Sequence, residues 1–180
     1  MQCPRCHAEN AAGMRFCGQC RQGRLAEAIA FHHRAAEEEA RETQGTPAAA
    51  VLRLGETYLL ADRIDDARAC AERALSLSLT VGERSIETQA LRLLGEVAAC
   101  GTSSDADQSE RLLGDALAQS KELGLRPHAA RCHLGLGALH ARTGRPERSE
   151  GHIATALAMF REMEMPYWIE KAEAELRALA

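Results

Sequence analysis

The chain has 180 residues and a formal net charge of −4 at pH 7, which argues against general binding of nucleic acids and other polyanions. It contains no apolar run long enough to span a bilayer and no basic start followed by an apolar stretch, so neither a membrane protein nor a secreted protein is predicted. We therefore expect a cytoplasmic protein whose cysteines stay reduced.

Four cysteines fall within the first twenty residues, in two Cys-x2-Cys pairs. Each pair can present two thiolates from a tight turn, and four thiolates form the tetrahedral shell that suits Zn²⁺. The alternatives are disulfides and a redox Cys-x-x-Cys motif, but the chain lacks the secretion signal or the βαβ pattern that they require. Four thiolates leave no open coordination position, so we expect one structural zinc ion per chain. The predicted ligands are Cys3, Cys6, Cys17 and Cys20.

Beyond the cysteine segment, the sequence changes to amphipathic stretches rich in the strong helix formers Ala, Leu, Glu and Arg. The breaks between these stretches delimit about eight helices, and prolines stand at several predicted first turns, where a missing N–H costs nothing. Residues 24–43 are predicted to open the stack and residues 166–178 to close it. The predicted domains are a zinc ribbon over 1–23 and all-α helical repeats over 24–180. The prolines are Pro47, Pro127, Pro146 and Pro166.

Within the helical part, one pattern occurs three times at a spacing of 40–42 residues. Each copy has a Leu-Gly dipeptide in its first helix and spaced small residues in its second. The pattern resembles the tetratricopeptide repeat, which implies a right-handed helical solenoid whose paired helices cross closely at the glycine. An irregular helical bundle is the alternative. The dipeptides are Leu54-Gly55, Leu94-Gly95 and Leu136-Gly137.

The same resemblance implies a groove, lined by the first helix of each pair, that binds a partner protein or peptide. The groove positions mix apolar and charged residues and lack the Lys/Asn cluster that clamps a free C-terminal carboxylate. We therefore expect an internal segment or a helix as ligand. The alternative is that these side chains are only solvated surface. The predicted groove residues are Leu52, Glu56, Leu59, Gln89, Arg92, Glu96, Arg131 and Leu134.

No catalytic motif accompanies these features. The only lysines, Lys121 and Lys171, do not follow a glycine-rich loop, so a phosphate-binding P-loop is absent. The prediction is a non-enzymatic adaptor or scaffold. Nucleic-acid binding through the ribbon is less favoured, because the ribbon arginines are nearly balanced by the negative charge of the metal–thiolate centre.

Both ends of the chain resemble those of large bacterial signalling proteins, in which a class III adenylate/guanylate cyclase and an AAA ATPase lie between a zinc ribbon and a tetratricopeptide-like tail. The ribbon match rests on Cys3-Pro4-Arg5-Cys6 and Glu9-Asn10, and the tail match covers residues 50–177. The catalytic middle is absent, so the resemblance implies a signalling context without an activity. A regulatory fragment, or a remnant that acts with a cyclase or ATPase, is the alternative to a stand-alone adaptor.

Overall fold

The computed structural model describes residues 18–43, 47–100 and 105–179, with the side chains of the first helix described only over 24–38. These residues form eight α-helices and no strand, which confirms the all-α prediction for this part of the chain. None of the described helices has both the length and the apolar composition needed to cross a membrane. The helices are α1 (Gly18–Thr43), α2 (Ala48–Leu60), α3 (Ile64–Val81), α4 (Arg84–Ala99), α5 (Ala106–Glu122), α6 (Arg126–Arg142), α7 (Pro146–Glu162) and α8 (Pro166–Leu179).

The prolines mark the helix starts as the sequence predicts. Pro47 immediately precedes α2, while α7 and α8 begin at Pro146 and Pro166 themselves. In contrast, α1 begins at Gly18 and therefore runs through the predicted boundary between residues 23 and 24. The Gln and Arg residues that follow Gly18 are good helix formers, which explains why the helix extends into this segment.

Five of the inter-helix turns share one geometry. In each, a backbone N–H donates to the carbonyl five residues earlier, over 2.8–3.0 Å, and the residue before the donor has a positive φ. This pattern is the Schellman motif, which satisfies carbonyls left free at a helix end and returns the chain in a short turn. Glycine occupies the positive-φ position in three of these turns, and Asp62 and Glu164 occupy the other two. The donors are Arg63, Glu83, Leu125, Arg145 and Met165.

Each helix packs against the next, and the even-numbered helices also contact one another: α2 contacts α4, α4 contacts α6 and α6 contacts α8. We refer to α2–α3, α4–α5 and α6–α7 as the first, second and third pairs. The side of the stack formed by α2, α4, α6 and α8 is called the even-helix face below. The apolar core follows this arrangement, since its clusters join neighbouring pairs along the chain.

Close packing within each pair depends on one glycine. A Cβ added to Gly55 would lie 2.9 Å from both the Cβ of Cys70 and a methyl of Leu93, and at Gly95 it would lie 2.7 Å from the Cγ of Leu113. At Gly137 it would overlap the side chain of Ile153. Because real Cβ atoms do not approach so closely, the predicted close crossing at these glycines is confirmed.

Two of these crossings carry an additional hydrogen bond. The Ser109 hydroxyl donates to the carbonyl of Gly95, and the Ser149 hydroxyl donates to the carbonyl of Gly137, each over 2.8 Å. Both serines are fully buried. The corresponding residue of the first pair is Ala67, also fully buried, which has no hydroxyl to donate. The second and third crossings are therefore more closely alike than either is to the first.

Candidate partner-binding site

The predicted groove residues lie on α2, α4 and α6, and none of them is fully exposed. Leu52, Arg92 and Leu134 are buried, with exposed fractions of 2%, 0% and 4%. Leu52 belongs to the apolar cluster around the first pair, and Leu134 belongs to the cluster around the third. These two leucines therefore contribute to the core. The remaining predicted groove residues are half-buried: Glu56, Leu59, Gln89, Glu96 and Arg131.

Four of these residues form a connected charged cluster, made of Glu56, Arg92, Glu96 and Arg131. Its centre is Arg92, whose side chain is fully buried. One terminal nitrogen of Arg92 donates to the carboxylate of Glu96 over 2.6 Å, and the other donates to the carboxylate of Glu56. A buried guanidinium needs such partners, because an unpaired charge away from water is strongly destabilising.

Arg131 extends the charged cluster from the first pair to the third. Its terminal nitrogen donates a hydrogen bond to Oε1 of Glu56 over 2.7 Å. A side chain of α6 therefore bonds directly to a side chain of α2, although α4 lies between these helices. Long side chains on the even-helix face thus connect the first pair to the third across α4.

The charges of this cluster balance, since two carboxylates face two guanidinium groups. Burial alone would raise the pKa of Glu56, but Arg92 and Arg131 together hold the pKa of this carboxyl below its ordinary value. The side chains of Glu56 and Glu96 remain 28% and 27% exposed. The carboxylates are thus the most exposed part of the cluster, ahead of Arg131 at 18%.

Trp168 on α8 continues the even-helix face beyond the charged cluster. The guanidinium of Arg131 lies 4.7 Å from the centre of the indole ring, and the Lys171 ammonium lies 5.3 Å from it. The ring also stacks on Phe160, with centroids 5.7 Å apart. The sequence predicts only that residues 166–178, which include Trp168, close the stack. The cation–π contact with Arg131 depends on which faces of α6 and α8 meet, a feature that no local pattern reveals.

Three polar atoms near the charged cluster are buried without a hydrogen-bond partner among the described residues. They are Nε of Arg92, Nε of Arg131 and Nδ1 of His128. Burial and the two neighbouring guanidinium groups lower the pKa of His128. This imidazole is therefore neutral near pH 7 and adds no further positive charge to the site.

The predicted zinc ligands Cys3, Cys6 and Cys17 lie outside the described residues, and Cys20 lies in the first turn of α1, where only the backbone is described. Over the described ranges, no group of three or more His, Cys, Asp or Glu side chains is placed to hold a metal ion. The zinc site therefore remains a prediction from the spacing of the cysteines.

No family model matches the chain, and no curated protein matches it. Among solved structures, the chain is similar to the crystal structure of BtubC (BKLC) from P. vanneervenii, with a TM-score of 0.60 and 16% sequence identity. The match covers 89% of this chain and 65% of the BtubC chain. At this level of identity, the likeness concerns the helical fold alone.

Proposed function

We propose that this protein is a non-enzymatic protein-binding module, built as a tetratricopeptide-like helical solenoid and carrying a structural zinc ribbon at its N-terminus. The repeated glycine crossings at Gly55, Gly95 and Gly137 support the tetratricopeptide-like assignment. The proposed partner is a helix or an internal segment of another protein, bound along the even-helix face. A cytoplasmic signalling context is proposed from the sequence resemblance.

The observation that carries this proposal is the charged cluster on the even-helix face. Its side chains are held by several hydrogen bonds at once, so little conformational entropy would be lost when a partner binds. The reachable carboxylates of Glu56 and Glu96 accept hydrogen bonds, whereas Arg92 is enclosed. A partner segment with basic side chains fits this surface better than an acidic one.

Site-specific photo-crosslinking can test the location of the binding site. A photoreactive residue placed at Gln89, which is half-buried on α4, is expected to crosslink a protein in the source cell. The matched control is Gly151 on α7, an exposed position with nothing within 4 Å of an added Cβ. A protein captured from position 151 and not from position 89 would place the interaction outside the even-helix face.

Substitution of the buried residues cannot provide this test. Arg92→Glu would put a third carboxylate beside Glu56 and Glu96, and Leu134→Asp would bury a charge in the apolar cluster of the third pair. Both changes would destabilise the fold and so remove any binding indirectly. Crosslinking from a half-buried position leaves the core unchanged.

The zinc ribbon has its own test. We expect one zinc ion per chain in protein purified without a chelator, and Cys17→Ser should abolish it, because structural zinc supplies roughly 10–16 kcal/mol to comparable small domains. Cys100→Ser is the matched control, since Cys100 is an exposed free cysteine at the end of α4. Metal analysis that finds equal zinc in both variants would show that Cys17 is not a ligand.

A further inference from the structure

Three histidines lie together in the third pair, on the side of α6 that faces α7. His133 and His140 belong to α6, and His152 belongs to α7. The ring centroid of His152 is 5.1 Å from that of His133 and 5.4 Å from that of His140. None of the three takes part in the charged cluster of the proposed binding face.

The closest approach in this group joins two ring nitrogens. Nδ1 of His133 and Nδ1 of His152 are 3.0 Å apart. Without a metal, one ring must donate its N–H to the lone pair of the other. The same separation suits two adjacent ligands of one ion, because metal–nitrogen bonds of about 2.1 Å at a right angle place the nitrogens about 3.0 Å apart.

Both imidazoles are partly removed from water, and this burial, together with the neighbouring imidazole of His152, lowers the pKa of His133 to about 4. Burial also lowers the pKa of His152. The two side chains are half-buried, so an ion from solvent can reach them.

His140, the third histidine of the group, is not positioned as a further ligand. His140 is only 2% exposed, and its Nε2 is 3.9 Å from the carboxylate of Glu110. That carboxylate already accepts a hydrogen bond from Arg145 over 2.9 Å. Nothing in the described part of the chain places three or more His, Cys, Asp or Glu side chains around one ion. Water must supply the remaining positions of the coordination shell.

We propose that His133 and His152 chelate a divalent transition-metal ion of the Ni²⁺ or Cu²⁺ class and thereby link α6 to α7. Imidazole nitrogens are good ligands for both ions, which also accept the right angle that the 3.0 Å separation requires. With two protein ligands, the affinity should be far weaker than that of a four-thiolate zinc site.

Ni²⁺ titration of the full-length, zinc-loaded protein by isothermal calorimetry tests this site. We expect one saturable binding event in the wild type and in His32→Ala, a control on α1. The affinity for Ni²⁺ should be at least tenfold lower in His133→Ala and in His152→Gln. The Gln side chain is polar and can still hydrogen-bond, but it removes the imidazole. Zinc released from the protein is measured in parallel, so that replacement of the ribbon zinc by Ni²⁺ is distinguished from Ni²⁺ binding at the histidines.

Thermal unfolding provides a second measurement, which also shows whether the variants fold. Ni²⁺ should raise the Tm of the wild type, because it binds the folded state, and should not raise the Tm of a folded His152→Gln variant. The proposal is overturned if the wild type binds no Ni²⁺ beyond ribbon exchange, or if both variants keep the same affinity and the same shift in Tm.

Discussion

The glycine crossings within the helix pairs and the charged cluster between the pairs hold the molecule together in different ways. Each crossing is a close helix contact without room for a side chain, and it recurs at Gly55, Gly95 and Gly137. The charged cluster occurs once and joins α2, α4 and α6 through Arg92 and Arg131. The crossings form each pair, while the charged cluster adds ionic contacts between pairs to the apolar clusters that already join them.

The largest effect is expected at a crossing. Gly137→Leu should lower the free energy of unfolding by about 3 kcal/mol, because a side chain at this position overlaps Ile153 and forces α6 away from α7. Urea unfolding followed by circular dichroism measures the change.

Gly151→Leu is the matched control, since Gly151 also lies within a helix but has nothing within 4 Å of an added Cβ. Leucine forms helix better than glycine, so this change should raise the free energy of unfolding by about 0.5–1 kcal/mol. Equal losses in the two variants would mean that the third pair is not packed as closely as the structure shows.

A slightly smaller effect is expected at the centre of the charged cluster. Arg92→Ala leaves Glu56 and Glu96 without their shared cation and opens a cavity between the pairs. Removing one partner of a buried ion pair costs about 3–5 kcal/mol. Because both carboxylates are partly exposed, we expect a loss of about 2–3 kcal/mol, measured by the same urea titration.

A double variant separates the charge from the packing at this position. Arg92→Met combined with Glu96→Gln fills the space and removes the carboxylate left unpaired, while Glu56 keeps its ion pair with Arg131. It should recover most of the stability lost in Arg92→Ala, since an apolar replacement of a buried ion pair is often neutral. Failure to recover would show that the ionic hydrogen bonds themselves stabilise the contact between pairs.

The serine hydroxyls at two crossings should have a moderate effect. Ser149→Ala removes the hydrogen bond to the Gly137 carbonyl without changing the fit of the helices. The expected loss in the free energy of unfolding is about 1 kcal/mol. The reverse change, Ala67→Ser in the first pair, should not destabilise the protein if the three crossings are equivalent. A clear loss in Ala67→Ser would show that the first crossing is built differently.

The smallest effect is expected in a turn that lies outside both regions. Glu164 has a φ of +52°, a left-handed conformation that costs most residues energy but not glycine. Glu164→Gly should therefore raise the free energy of unfolding by about 0.5 kcal/mol, after allowing for the greater entropy of glycine in the unfolded chain. Gly144→Ala is the reverse change at a φ of +70°, and it should lower the free energy of unfolding.

The helices and the crossings could be predicted from the sequence because both depend on local patterns. Pro146 and Pro166 mark helix starts at the positions where they are observed, and the repeated Leu-Gly dipeptides mark the crossings. The start of α1 at Gly18 could not be predicted in the same way, because the cysteine spacing suggested a separate segment there. In that part of the chain, residues that favour a helix lie beside the predicted zinc ligands, and Cys20 belongs to both patterns.

The exposure of the groove residues required the tertiary structure. The repeat pattern selects Leu52, Arg92 and Leu134 as groove positions, yet all three are buried. Leu52 and Leu134 are buried in apolar clusters, and Arg92 is buried between Glu56 and Glu96. These surroundings come largely from neighbouring helices, so no single helix pattern contains them.

The sequence by itself determined the all-α class of the described residues, the helix boundaries marked by proline and the close crossings at glycine, because each follows from backbone sterics within a few turns of helix. Only the tertiary structure decided which side chains of different helices meet. The contact of Arg131 with Trp168 and that of His133 with His152 both require two helix faces to be oriented toward each other. That orientation is set by the packing of whole helices, so side chains distant in sequence acquire their partners only when the stack is complete.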